Sequence, residues 1–297
     1  MKKRARRLYT ARFNVFTIVI FVFLILYIIS LAIPILWGVM TSLKDKWDFM
    51  DNAFGLPKVW TFANFIETFN NFYVRTTTKD GAYITKMGGM YLYSLLYSLG
   101  CAITSTIVPC TTAYLCVKFP FKFSRVVYTT VIVTMVLPIV GSLPSQVEMA
   151  KLFGLHNQIF GLWIMSANFL GLYFLVFYAS FKNVPDAYSE AAEIDGASNF
   201  TIYVRIMMPM IRSAIFTIML IRFIGCWNDY QTPLIFMPVY PTVAYGVWQF
   251  NFATDNELSS VPMKLSGAIL LLAPVLTVFL IFHKRLMGNV TVGGLKG

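Results

Sequence analysis

Two ionisable side chains, Arg222 and Asp229, stand inside an otherwise apolar stretch that runs roughly from Ser213 to Phe236. They are seven residues apart, two turns of an α-helix, so a helix here places both on one face. At bilayer depth an ionisable group costs about 2.5–3.5 kcal/mol even on lenient scales, and such a residue ordinarily faces a cavity or a partner. Three roles suit the pair: a structural polar contact to a neighbouring helix, the lining of a hydrophilic path, or proton exchange with Asp229 and Glu148 as carriers. Bond-making chemistry finds little support. The chain has no GxxxxGK[ST] loop to cradle a nucleotide. Cys101, Cys110, Cys116 and Cys226 all fall in apolar runs without paired loop spacing, so neither a disulfide framework nor a zinc site is implied.

These charges need a membrane-crossing scaffold, and the composition supplies one. Of 297 residues 58% are hydrophobic and 12% charged, against about a quarter charged in an ordinary soluble domain. One span needs about 20 apolar residues. Charge-free runs extend over Phe13–Leu43, Met87–Val117, Val126–Val147, Leu152–Phe181 and Leu265–Phe282, and the Arg222 stretch makes a sixth. The expectation is therefore an all-α membrane protein with six transmembrane helices. The basic start MKKRARRLYTARF leads into a run longer than a secretory h-region and is read as an uncleaved first span. Segments 1–12, 118–125, 182–212 and 283–297 together hold fifteen of the 24 Lys and Arg, which places them and both termini in the cytoplasm. The formal charge of +11 is then a topology signal, and no basic aromatic domain supports nucleic-acid binding.

The expected organisation is a basic N-terminus (1–12), a transmembrane domain (13–284) and a cytoplasmic tail (285–297). Residues 44 to 86 read as a small external cap. KFPFKFSR forces an antiparallel hairpin of spans. SQVEMAKLFGLHNQ reads as an interfacial helix, and MPVYPTVAYGVWQFNFATDNELSSVP as an external loop. Pro34, Pro109, Pro138, Pro144 and Pro274 are expected to bend the spans.

One interruption is out of keeping with the rest: the cytoplasmic segment 182–212. Pro185 suits the first turn of a helix. Asp186, Glu190 and Glu193 recur on one face, with Ala187, Tyr188, Ala191 and Ala192 on the other, a small-residue face suited to lying on a packed surface. Asp195-Gly196 supplies a turn, SNFTIYVRIMM resumes a helix, and Pro209 interrupts it ahead of Arg212. Two short helices joined by a glycine elbow form a rigid knob.

The residues Glu190-Ala191-Ala192, then Asp195-Gly196-Ala197, then Ile206 and Met208-Pro209 resemble the EAA loop of ABC importer permeases, the element that docks into a cleft of an ATPase subunit. TSLK after the first span, FIGCWNDYQTPL in the fifth and the terminal GNVTVGGLKG extend the resemblance to the carbohydrate branch of that family, the six-span maltose type, over nearly the whole chain. Met208 and Ser213 stand where the family pattern has leucine and proline, and the intramembrane Arg222 lies outside it.

The resemblance implies a type I ABC importer permease fold in a bacterial plasma membrane and an ATP-driven import subunit for carbohydrates, with oligosaccharides the expected substrates. It implies no enzymatic activity and no cofactor on this chain, with ATP and Mg bound by the partner ATPase. The implied partners are a homologous permease forming a heterodimer, two ATPase subunits, an extracellular solute-binding protein, the carbohydrate and membrane lipid. It implies coupling through Glu190, Ala191, Ala192, Asp195, Gly196, Ala197 and Pro209. Trp227, Asn228, Asp229 and Tyr230 then border a sugar path, with aromatic faces against pyranose C–H surfaces and polar groups meeting hydroxyls. The alternative, a stand-alone proton-coupled secondary transporter, leaves the knob unexplained.

Overall fold

The structure is a computed structural model that describes residues 15–78, 81–119, 121–137, 141–252 and 260–287. The expected segment 1–12, Pro138 and the terminal GNVTVGGLKG lie outside the described residues.

The first apolar run forms α1 (Val15–Ser42), apolar on all sides and almost wholly exposed, as a lipid-facing helix is. Its last turn enters a buried polar knot. The Asn64 side-chain amide donates to the carbonyls of Ser42 and Lys44 at 2.8 and 2.7 Å, and the buried Lys44 ammonium donates to the Asn52 carbonyl at 2.6 Å. The external segment holds α2 (Lys46–Asp51), capped by Asp45, then α3 (Ala63–Asn71) and an antiparallel hairpin of β1 (Tyr73–Thr78) and β2 (Gly81–Lys86) with Tyr73 opposite Lys86. The hairpin corrects the all-α expectation. Its Val and Thr residues favour extended backbone, and inward-facing Val74 is buried.

The central element is α4 (Met87–Lys118), 32 residues long, with more than half of its apolar centre buried. It packs against three later helices, α7 (Ile159–Ser166), α8 (Leu172–Lys182) and α12 (Arg212–Asn228). Three helices, α1, α4 and α15 (Val261–Met287), are long and apolar enough to cross a membrane among the described residues. Pro34, Pro109 and Pro274 lie inside these three helices.

The run Val126–Val147 is divided. Here α5 (Lys122–Val136) has 15 residues, about 22 Å at 1.5 Å per residue, short of the roughly 30 Å hydrocarbon core. Leu137, before Pro138, is extended as a pre-proline residue prefers. The chain resumes in α6 (Leu143–Leu152), with Pro144 in its first turn, which covers the front half of the expected interfacial helix.

Leu152–Phe181 is divided too, into α7 (Ile159–Ser166) and α8 (Leu172–Lys182). In the gap the Asn168 carboxamide oxygen accepts from the Leu170 N–H at 2.6 Å, and Gly171 has a φ of +126°. The next elements are α9 (Ala187–Ile194), α10 (Asn199–Ile202), a π-helical turn (Tyr203–Met207) and α11 (Met208–Met210). The fifth apolar stretch gives α12 (Arg212–Asn228) and α13 (Gln231–Phe236).

The segment expected as an external loop instead contains α14 (Val243–Phe252), largely buried against α4 and α15. Its Val, Tyr and Phe side chains join Phe72, Val74, Met87 and Met90 in one cluster, and the Val243 N–H donates to Ser94 Oγ at 2.8 Å. Burying this apolar content is favourable, which a solvated loop would forgo.

Candidate functional site

The knob is built from two helix-terminal motifs in series. At the end of α9 the Gly196 N–H donates to the Glu193 carbonyl at 3.0 Å and the Ala197 N–H to the Ala192 carbonyl at 2.9 Å. This paired pattern satisfies the last carbonyls and requires a left-handed residue between them. Gly196 supplies it with a φ of +79°. Two residues later Ser198 caps α10, its Oγ accepting from the Thr201 N–H at 3.3 Å. The elbow is thus held at one end by backbone hydrogen bonds and at the other by the Ser198 side chain.

Pro209 does not interrupt the second helix, which corrects the sequence expectation. It has no N–H to give and its ring crowds the preceding turn. The turn ahead of it widens to π form, so that the Met208 N–H reaches the Tyr203 carbonyl. The break falls at Ile211, beyond which α12 departs at 77°.

Beneath the knob Ala192, Ile202, Tyr203, Met207 and Ile211 are buried against Tyr114, Phe177, Phe181 and Val184. The Tyr203 hydroxyl hydrogen-bonds Thr111 Oγ1 at 2.8 Å, and its ring lies 4.6 Å from that of Tyr114. Lys118, at the end of α4, donates to the Val184 carbonyl at 3.0 Å and pairs with Asp186. The alanine face divides: Ala192 is buried, whereas Ala187 and Ala191 are exposed, because the short α9 touches the bundle along one edge only. Glu190 and Glu193 point outward. Also exposed on the knob are Ile194, at 87%, and Phe200, at 75%, two apolar side chains that the charge pattern did not single out.

The stretch from Arg222 to Tyr230 meets α4 in a polar ladder. Ser105, Cys101 and Tyr97 recur every four residues on α4 and face Arg222, Cys226 and Asp229. Arg222 Nε donates to Ser105 Oγ at 3.0 Å, the Cys101 thiol donates to the Leu162 carbonyl at 3.6 Å, and the Tyr97 hydroxyl donates to Asp229 Oδ2 at 3.3 Å. The backbone is extended at Asp229, and its Oδ1 accepts from the Thr232 N–H at 3.1 Å. Arg222 and Asp229 form no ion pair among the described residues. Arg222 lies instead over the Tyr173 ring, 5.9 Å from its centroid.

The four residues expected to border a path do not share a surface. Trp227 is buried and donates Nε1 to the Leu271 carbonyl at 3.1 Å, so it packs on α15. Asn228 and Tyr230 are exposed and Asp229 is half-buried. Tyr230 stacks on Trp248, with centroids 5.3 Å apart and rings 9° from parallel. Trp248 was not anticipated from the sequence.

Residues 105–291 match the family model described as the binding-protein-dependent transport system inner membrane component. The chain belongs to this family. The matched region of the permease contains the whole knob and the Arg222 stretch. The diacetylchitobiose uptake system permease protein of Streptomyces coelicolor is 24% identical to it over 91% of this chain and 86% of that protein. The arabinooligosaccharides transport system permease protein of Bacillus subtilis is 25% identical over 97% of this chain and 99% of that protein. The multiple sugar-binding transport system permease protein of Streptococcus mutans is 26% identical over 90% and 93%.

Among solved structures, a bacterial ABC transporter involved in the import of the acidic polysaccharide alginate contains a similar chain, with a TM-score of 0.74 and 22% identity over 96% of this permease and 98% of that chain. The permease therefore has the helical fold of a type I ABC importer membrane subunit. Its family is one of transporter permease subunits, not of enzymes.

Proposed function

We propose that this permease is one half of the translocation pathway of an ATP-driven, binding-protein-dependent importer for carbohydrates, oligosaccharides in particular. The observation that carries this reading is the knob: α9 and α10, rigidly elbowed at Gly196, packed on α4 through Tyr203 and Lys118, and presenting Glu190, Ile194 and Phe200 outward. A coupling element must move as a unit with the membrane helices, and this one is anchored to the central helix of the bundle. The outward face combines an apolar anchor with an acidic rim, the usual make-up of a docking patch.

In this reading the chain itself forms six spans, a homologous partner permease supplies the other half of the pathway, both termini are cytoplasmic, and residues 182–212 dock into an ATPase. Two ATPases bind ATP and Mg, and this chain carries no cofactor. A solute-binding protein delivers the sugar from outside. The sugar relatives support the substrate class, and the stacked Tyr230 and Trp248 beside Asn228 and Asp229 offer a surface suited to pyranose rings. The proton-coupled alternative draws no support from Asp229, whose two oxygens are taken by Tyr97 and Thr232.

The test is reconstitution. A tagged permease should co-purify with a second permease and an ATPase, and ATP hydrolysis by that complex should rise with sugar-loaded binding protein. Uptake that persists without ATP and collapses with an uncoupler would overturn the reading.

A further inference from the structure

We propose that Arg222 forms an anion subsite on the translocation path, and that the transported glycan carries a carboxylate, as a uronic-acid residue does. This rests on the importer reading and narrows its substrate.

Arg222 is a permanent charge without an ion-pair partner among the described residues. A guanidinium has five N–H donors. One goes to the neutral Ser105 hydroxyl, and one face of the group lies over the Tyr173 ring. The ion pairs among the described residues are Lys58–Asp51 and Lys118–Asp186, and Asp229 is engaged elsewhere. The two terminal nitrogens have no hydrogen-bond partner among the described residues. A charged group in a span marks a pathway or a counter-ion site.

Its surroundings have the features of a pathway. Tyr173 lies in the first turn of α8, directly after the break over 167–171. Non-helical backbone at membrane depth is tolerated where it lines a cavity or is buried in protein, and here Ala167 and Asn168 are exposed. One turn along α12 from Arg222, Gly225 is exposed, and a Cβ placed there would meet nothing within 4 Å. Asn228, exposed, follows on the same open side. Gly225 and Asn228 thus leave the stretch of α12 between Arg222 and Tyr230 uncovered on one side.

The chemistry selects the ligand. The planar fork of a guanidinium matches a carboxylate through two parallel hydrogen bonds, whereas sugar hydroxyls return only neutral acceptors. A monoanion balances the single positive charge. A phosphate monoester would bring excess negative charge to a site with Asp229 about 10 Å along the helix. A purely neutral glycan would leave the guanidinium uncompensated, so Arg222 discriminates as well as binds.

The experiment uses the whole complex, both permeases with their ATPases, in lipid nanodiscs, and measures binding of a galacturonate trimer and of its carboxyl-reduced neutral counterpart. The wild type should bind the acidic trimer at least tenfold more tightly than the neutral one. Arg222→Gln should abolish the preference, and Tyr173→Leu should reduce it. If Arg222→Gln does not assemble, Arg222→Lys decides: a point charge in place of the fork should weaken acidic binding at least threefold, and unchanged affinity overturns the proposal. Equal binding of the two trimers to the wild type, no binding of the acidic one, or a preference that survives Arg222→Gln also overturns it. The importer reading fails separately, if no ATPase accompanies the tagged chain.

Discussion

The Tyr97 hydroxyl on α4 donates to the Asp229 carboxylate just past the end of α12, 3.3 Å away, while the other carboxylate oxygen accepts the Thr232 N–H at 3.1 Å. One side chain, placed between α12 and α13, thus ties the first turn of α13 to the central helix. Replacing Asp229 by alanine strips both donors of their acceptor, at about 1–3 kcal/mol. Asparagine keeps an acceptor oxygen and should cost less. Thermal unfolding of the solubilised complex should place Asp229→Ala below Asp229→Asn. With no ion pair to Arg222, Asp229→Asn and Arg222→Gln should add to within about 0.5 kcal/mol. Strong coupling between them would show that the two charges meet in the assembled transporter.

Lys118 and Asp186 make a pair whose two ends differ in worth. The Asp186 side chain is 74% exposed, and surface pairs contribute about 0–1 kcal/mol. The Lys118 side chain is 9% exposed and also holds the Val184 carbonyl. Asp186→Asn should therefore leave thermal stability and transport close to wild type. Lys118→Met should lower stability by about 1–3 kcal/mol, because the Val184 carbonyl loses its donor. Similar stabilities for the two variants would place the weight on the ion pair instead.

Gly196 adopts a φ of +79°, a conformation that costs an ordinary L-residue roughly 1–2 kcal/mol. No neighbour stands within 4 Å of where its Cβ would be, so the cost is one of backbone alone. Gly196→Val should assemble yet lose most of the rise in ATP hydrolysis caused by loaded binding protein. Gly196→Asn, which tolerates the left-handed region, should retain more of that rise. Full stimulation in the valine variant would show that the elbow need not be rigid.

On the knob, the apolar side chains of Ile194 and Phe200 are strongly exposed, as is the carboxylate of Glu190. Truncating a central anchor of an interface costs about 2 kcal/mol, close to a thirtyfold change in Kd. Phe200→Ala or Ile194→Ala should therefore release ATPase during purification while the permease still inserts. Glu190→Lys should weaken docking too, by reversing a charge on the face proposed to dock. Wild-type co-purification and transport in all three would remove this face from the docking surface.

The sequence alone determined whatever depends on residue type and short-range spacing. The apolar runs of α1, α4 and α15 are visible because one helix needs only a continuous stretch of apolar residues. The Asp195-Gly196 elbow is visible because a left-handed helix end calls for glycine locally. Tertiary structure decided which side of each element faces inward and which runs are broken. Trp227 turns to α15 because the Leu271 carbonyl, 44 residues on, accepts its N–H. Arg222 meets Ser105, 117 positions away, and not the nearby Asp229, because the backbone becomes extended at Asp229. Likewise the segment expected as an external loop contains α14, which is buried because Phe72, Val74, Met87 and Met90 offer it an apolar seat. Helical periodicity places residues around an axis, but it carries no information about which distant segment covers that axis and from which side.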